Sequence, residues 1–461
     1  MQLPASTTSA PASLQLSNRA LRALGRKTAW DLMMHNKRYP RYHPKKSPNG
    51  LIDLSGAGNE LMGDWMANFL TTLPELQASQ TLSYGPLHGS PALRKAAAGF
   101  FNSFFKPASP VAADNVLVAN GVTSLIDLAA WTMCESGDAL LTLTPTFYML
   151  ELDLVLRAGV VTIPVSTEGL WDPAHGEDSA ARSRLLEALD AALQTALEHP
   201  SLRCRGLFIC NPMNPQGRCY SRLMLEALAH WCASKGLYLI SDEIYGLSNF
   251  ARASARRDSD AQSAHIPPSS FCSVLEIARA NEPVAQNIQC FYGLSKDFGM
   301  GGLRIGFWVS RNAAMLKAAA SATWFTWVNA FADHVATWLL QDSRAVSDYI
   351  FEYRRRLSNA YLGVTQALRS NKIPFNSADA ALFVSIDLYA WIHHFSEDAG
   401  TSPERQLCHW LTHHGVFLNP GEFAGATRAG MFRLVFTVDS SIVEIAVQRI
   451  RKALDALGAP R

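Results

Sequence analysis

No run of apolar residues in this 461-residue chain approaches the roughly 20 that a membrane-spanning helix needs. Even the greasy stretch from Asp138 to Leu150 is cut by Pro145. Charge of one sign is equally scarce in excess. The 41 Lys and Arg stand against 39 Asp and Glu, for a net charge of +2. That excludes a dedicated polybasic surface for nucleic acid or anionic lipid. Cysteine is sparse: the eight at positions 134, 204, 210, 219, 232, 272, 290 and 408 form no C-x-x-C pair and no regular framework. A disulfide scaffold is thereby excluded, and reduced, mostly buried thiols in a cytosolic protein are expected. There is no internal repeat.

Residues 1–16 are rich in Ser, Thr, Ala and Pro and are expected to be disordered. They lack the apolar core of a secretory signal. No acidic residue precedes Asp31, whereas Arg19, Arg22, Arg26 and Lys27 do, so a mitochondrial transit peptide stays open beside the cytoplasmic reading.

What is present is a globular composition, 48% hydrophobic and 17% charged, in a chain too long for one core. Short apolar strands alternate with helices: strands at 115–119, 139–143, 160–165, 205–210, 237–241 and 289–292, with helices at 91–105, 121–133, 182–197 and 223–235 between them. That alternation predicts an α/β fold, a mostly parallel sheet with helices on both faces. Leu16 to Met34 reads as one amphipathic helix, and Leu51–Leu54 as a short strand before a Gly56–Asn59 turn. Residues 251–270 read as a surface insertion. From Ala313 to about Leu368 the pattern is helical, which puts Trp324, Phe325 and Trp327 on a helix, in the core or at a dimer interface, with the substrate entrance as the alternative. Strands at 381–388, 416–418 and 432–437, with helices at 404–414 and 442–457, form a smaller α+β unit.

Chemistry gathers at strand ends, where ligands of open α/β sheets bind. Tyr292–Phe307 holds a Ser295–Lys296 step, a glycine-rich turn and then Arg304. A lysine so held is partly dehydrated, its pKa falls, and its amine attacks a carbonyl. Arg304 supplies an anion site. Gly121-Val122-Thr123, between a strand and a helix start, offers backbone N–H groups to another anionic oxygen. Asn211-Pro212-Met213-Asn214-Pro215-Gln216-Gly217 aims an amide into a cleft, and Asp242-Glu243-Ile244-Tyr245 pairs a carboxylate with a phenol. Each alone is equally a surface loop, a rigid turn or a helix cap. His409, His413, His414 and Cys408 lie close in sequence, but no motif supplies further ligands, so no metal site is expected and surface or packing roles are simpler. Lys45-Lys46 is a solvated pair.

Taken in order, these motifs resemble the fold type I, pyridoxal-phosphate-dependent aminotransferase superfamily (class I/II) over residues 15–460. Tyr42-His43-Pro44, Pro48-Asn49-Gly50, Ala57 and Asn59, and Leu294-Ser295-Lys296-Asp297 resemble the 1-aminocyclopropane-1-carboxylate (ACC) synthase branch. The resemblance implies an aspartate aminotransferase-like fold: residues 17–75 as an N-terminal segment packing with the small domain, 76–335 as the large cofactor-binding domain and 336–461 as the small domain. It implies that Lys296 forms the internal aldimine and moves the Cα proton, and that Asp242 pairs with the ring nitrogen. Asn214 and Tyr245 would bond the ring oxygen, and Phe147 would stack on the ring. Val122, Thr123 and Arg304 would hold the phosphate. Tyr84 would reach the phosphate of a neighbouring subunit, implying a homodimer with shared sites. Arg433 would clamp the substrate carboxylate, with the Ala57 backbone closing over it.

The chain departs from that branch where a glutamate is replaced by Gly58, a stacking tyrosine by Phe147, and a phosphate-binding serine by Gly293. The small-domain asparagine appears as Asp379. Aminotransferase-type chemistry on an α-amino acid or amino-acid-derived group is the first expectation. A β/γ-eliminating lyase, carbon–sulfur or ACC-synthase-like, is the alternative, and a non-catalytic binder of the cofactor is a third reading.

Overall fold

A computed structural model describes residues 16–24, 28–75, 82–169, 179–199, 201–250, 271–397 and 400–460. The expected disorder of the extreme N-terminus and the insertion at 251–270 fall almost wholly outside them. Strand β1 (Ile52–Asp53) belongs to a small sheet. The central sheet holds β2 (Val116–Ala119), β3 (Ala139–Thr144), β4 (Val161–Ser166), β5 (Cys204–Cys210), β6 (Tyr238–Asp242), β7 (Ile288–Gly293) and β8 (Gly306–Ser310). Its order is β2-β8-β7-β6-β5-β3-β4, and β8 alone runs antiparallel to its neighbours. A four-stranded sheet combines β9 (Phe375–Asn376), β10 (Phe383–Asp387), β12 (Asn419–Pro420) and β13 (Met431–Val435), and β11 (Val416–Phe417) pairs in parallel with β1.

β2, β3, β6, β7 and β8 are almost continuously buried, as strands covered on both faces must be. Below the carboxyl end of β7 the core is aromatic. The rings of Phe100, Phe101 and Phe105 pack on Tyr292, with centroids 4.9–6.0 Å away, and Phe298 stacks on Tyr349 at 4.9 Å. Each buried ring of this kind contributes about 1.5–3 kcal/mol. This packing makes a rigid floor under the turn that carries Lys296.

Two helix expectations need correction. The segment expected as one helix from Leu16 to Met34 forms two, Asn18–Leu24 and Ala29–Asn36. Thr28 is extended, and its side chain and that of Asp31 form a reciprocal capping box that starts the second helix. The helical stretch after Ala313 divides into Ala313–Ser321, Ala330–Gln341 and Ser343–Ser370. Asn329 and Asp342 cap the last two with their side chains. Trp324 and Phe325 therefore sit on an isolated 3₁₀ turn, 66% and 77% exposed, rather than in the core. No described helix is long and apolar enough to cross a membrane. None of the eight cysteines is in a disulfide, and six of them are buried.

Candidate active site

Three strand ends aim side chains at one point. β7 leads into Leu294-Ser295-Lys296, and Lys296 is half-buried, its Nζ donating to the carbonyl of Ala57 at 2.8 Å. The backbone of this step is pinned from several sides. Asn59 Nδ2 donates to the carbonyls of Lys296 and Asp297 at 3.0 and 3.2 Å. The Asp297 carboxylate accepts from Leu247 N at 2.8 Å, from Tyr292 Oη at 2.9 Å and from the Ser248 hydroxyl, while its carbonyl accepts from Tyr349 Oη at 2.8 Å. Gly299, at φ 65°, passes so close that a Cβ there would lie 2.7 Å from the carbonyl oxygen of Asn59. Burial lowers the Lys296 pKa to about 8; the Arg433 charge pushes the same way, Asp242 opposes it, and Arg304 adds a smaller push.

Asp242 closes β6. It is buried, and its Oδ1 accepts from Ile244 N at 3.1 Å. Burial pushes its pKa up to about 7 against that bond and the Lys296 charge. A buried carboxylate so poorly provided for fits a cationic N–H partner such as a pyridinium. Burial also drives Tyr245 well above the ordinary phenol value, opposed by Arg433, so it stays a donor. Its ring meets Phe383 edge-on at 5.3 Å.

Beyond the end of β5, Asn214 Oδ1 accepts from Arg433 Nη1 at 2.9 Å, and Arg433 Nη2 donates to the carbonyl of Ser55 at 2.5 Å. Arg433 comes from β13, opposite Ser385 of β10, and is 3% exposed. Its guanidinium lies 4.8 Å from the Tyr148 ring and 5.0 Å from that of Phe383. Such a group, close to two rings with its fork already on oxygen acceptors, is prepared for a carboxylate.

The remaining expected contacts build a second, anion-accepting corner. Gly121 (φ 107°) turns β2 into helix Val122–Met133, so Val122 and Thr123 occupy its first turn. A Cβ on Gly121 would meet Arg304 Nη2 at 2.4 Å. Arg304 itself is exposed and left-handed (φ 57°, ψ 59°), with Nη1 on the carbonyl of Gly301 at 3.1 Å. Helix N-terminal amides beside a guanidinium fit a phosphate. Gly293 also has a steric reason: a Cβ there would meet the carbonyl oxygen of Ile305 at 2.8 Å and Val122 Cγ2 at 3.1 Å.

Phe147 is half-buried, its ring 5.4 Å from that of Tyr148. Its backbone contacts the thiol of Cys210, the register partner of Asp242. Tyr84 stands apart from this cluster within one chain: it is 92% exposed, with its ring 5.5 Å from that of Trp327. Tyr148 and Ser55, both on Arg433, were not singled out from sequence. Tyr148 was legible only as the neighbour of Phe147, and Ser55 acts through a carbonyl that any residue carries. His409 and His413 are exposed, and among the described residues no group of three or more His, Cys, Asp or Glu is placed to hold a metal.

A half-buried lysine of lowered pKa, the buried Asp242 carboxylate and an anion-accepting corner define a pyridoxal-phosphate-dependent enzyme of the aspartate aminotransferase fold. The chain belongs to the family Aminotransferase class I and II, whose model matches residues 53–450, and to its ACC synthase-like branch. It is 28% identical over 421 residues to 1-aminocyclopropane-1-carboxylate synthase 6 of Arabidopsis thaliana, covering 89% of this chain and 79% of that one. It is 30% identical to the probable inactive 1-aminocyclopropane-1-carboxylate synthase-like protein 2 of Mus musculus, covering 89% and 67%. Aspartate aminotransferase from Thermus thermophilus with maleate superposes with a TM-score of 0.71 at 20% identity, covering 95% of this chain and 100% of that one.

Proposed function

We propose that the protein transfers amino groups from an α-amino acid or an amino-acid-derived substrate, with Lys296 as the base that moves the Cα proton. The observation that carries this reading is the Lys296 amine itself, half-buried, donating to the Ala57 carbonyl, lowered to about 8 and electrostatically coupled to both Arg433 and Asp242. When bound, pyridoxal phosphate supplies the aldehyde that captures the substrate amine and the ring that takes up the electron pair of the broken Cα–H bond.

Arg433 exchanges its bonds to Asn214 and Ser55 for the two oxygens of the substrate carboxylate, which fixes the orientation of Cα. The Lys296 amine then accepts the Cα proton and returns it at another carbon. Asp242 would hold the ring N–H, keeping positive charge where electrons must go. Asn214 and Tyr245 would bond the ring oxygen, and Phe147 would cover the ring face. Val122, Thr123 and Arg304 would hold the phosphate, and the Ala57 backbone would lie over the carboxylate.

We read residues 76–335 as the cofactor-binding domain, 336–461 as the small domain, and 17–75 as a segment packed against the latter. The exposure of Tyr84, Trp324 and Phe325 supports a homodimer in which Tyr84 reaches the partner's phosphate site. Eight cysteines outside any disulfide support a reducing compartment such as the cytoplasm.

The second reading, a β- or γ-eliminating lyase, is favoured by the names of the curated relatives. Against ACC synthesis itself stand Gly58, whose Cβ position meets nothing closer than 4.0 Å, and Phe147, which has no hydroxyl. The purified protein is incubated with amino acids and S-substituted cysteines, with and without a 2-oxo acid. A new amino acid formed only with the oxo acid supports transamination. Pyruvate and thiol without acceptor would sink it in favour of elimination. No turnover, with the visible absorbance of the bound cofactor lost in Lys296→Ala, would leave a binding protein.

A further inference from the structure

Behind the Asn214–Arg433 pair lies a cavity of about 150 Å³. Asn214, Arg433 and Tyr148 form the wall it shares with the lysine site, while Lys296, Asp242, Tyr245 and Arg304 do not line it. Its far side is the loop between β12 and β13, tied down by three glutamates. Glu404 accepts from Glu422 N at 2.8 Å and from Gly430 N at 2.5 Å. Glu422 pairs with Arg405, and Glu168 accepts from Thr427 N at 2.9 Å, Arg428 N at 3.2 Å and the Thr427 hydroxyl. The cavity is therefore walled by fixed structure.

The charges on this wall have partners, although Arg433 Nε has none. Glu168 is held by the loop, and Arg433 donates to Asn214 and Ser55. With the Arg433 charge reserved for the substrate carboxylate, a further charged group would lose its water without a partner, which is costly. Much of the lining is apolar, including Met213, Ala424, Ala426 and Met431. Gln216, on the same wall, gives Nε2 to the carbonyl of Pro145 at 3.0 Å and leaves Oε1 without a partner. A volume of about 150 Å³ is that of a cavity that takes up benzene.

We infer that this cavity is a binding site for a small uncharged group, benzene-like in size, largely apolar and carrying one hydrogen-bond donor for Gln216. An occupant would press on Asn214 and Arg433 and so bias the carboxylate clamp. The group is either the side chain of the amino-acid substrate, a source that rests on the proposed function, or a separate molecule.

The probe is phenol, a benzene ring with one O–H donor, titrated into the cofactor-loaded enzyme by ligand-observed NMR, with benzene as the control lacking a donor. A Kd on the order of 1 mM is expected, as for a ligand of so few atoms. Ala426→Leu, which fills the space, should weaken phenol at least tenfold. Gln216→Leu should weaken phenol several-fold and leave benzene unchanged. Urea midpoints of both variants guard against misfolding, and either variant that folds tests the site. No binding at millimolar phenol, or binding that a folded variant leaves unchanged, would overturn the proposal. Turnover separates the sources. If the group is the substrate's side chain, phenol competes with tyrosine but not with alanine, and Ala426→Leu raises KM for tyrosine alone. If it is a separate molecule, phenol binds alongside both. The NMR arm needs no turnover, so failure of the transferase reading would leave it readable.

Discussion

Asn59 Nδ2 donates to the backbone carbonyls of Lys296 and Asp297, at 3.0 and 3.2 Å, across 237 and 238 residues of chain. The lysine is thus positioned by the N-terminal segment as well as by its own strand. Asn59→Ala removes both bonds from a partly buried place, and each bond is worth about 1 kcal/mol. The expected outcome is a fall of about tenfold in kcat/KM, with a smaller loss of thermal stability. Steady-state kinetics beside a thermal melt checks it. Unchanged kinetics would mean that the aromatic floor alone holds the turn.

The lowered pKa of Lys296, about 8 against an ordinary 10.5, predicts how it captures an aldehyde. The neutral amine is the nucleophile, so uptake of pyridoxal phosphate by the cofactor-free protein should accelerate as pH rises to about 8 and level off above it. A free lysine would keep accelerating to beyond pH 10. Stopped-flow absorbance reads the rate. Lys296→Ala should show no covalent uptake at any pH, checked by borohydride reduction followed by mass spectrometry.

Asp242 gives a stability prediction of definite sign. Its folded-state pKa is raised to about 7 from an ordinary 3.8, so between these values the folded state binds more protons than the unfolded one. Its contribution to stability therefore falls as pH rises through that window, and the penalty is complete above about 7. Lys296 titrates higher: its penalty is present below about 8 and is relieved as pH rises toward 10.5. In cofactor-free protein, Asp242→Asn should gain in Tm relative to wild type as pH goes from 4 to 7. Bound cofactor should reverse that advantage, because the carboxylate then has its N–H partner. A Tm difference independent of pH would contradict the assignment.

Much of this was readable in the sequence where a local rule decides the outcome. The strands β2 to β7 are short apolar runs between turn residues, and Lys296, Asp242 and Asn214 stand just after such runs, where an open sheet presents its ligands. The rest depended on distance in space. Nothing local tells that Asn59 meets Lys296, that Ser55 offers its carbonyl to Arg433, or that Tyr148 rather than Phe147 lies under the guanidinium. The helices misjudged at both ends were cases where a capping side chain, Thr28, Asn329 or Asp342, overrode a continuing apolar period. Gly293, read from sequence as standing where the branch has a phosphate-binding serine, also has a packing role: a Cβ there would lie 2.8 Å from the carbonyl oxygen of Ile305 and 3.1 Å from Val122 Cγ2.

Gly121 tests the phosphate corner without touching the lysine. Its φ of 107° strains any other residue, and a Cβ would lie 2.4 Å from Arg304 Nη2. The guanidinium is the far end of a flexible side chain, so Gly121→Ala should fold while displacing Arg304 from the start of helix Val122–Met133. A charge-assisted contact of this kind contributes about 1.5–3 kcal/mol, so cofactor affinity should fall by about ten- to a hundredfold. Arg304→Ala should weaken it comparably, and the double variant should add little, because both lose the same contact. Equilibrium titration with pyridoxal phosphate measures this, with pyridoxal, which lacks the phosphate, as the control: its binding should be nearly the same in all four proteins. If pyridoxal binding collapses along with that of the phosphate, the glycine serves the fold of the turn, and Arg304 is not the anion's partner.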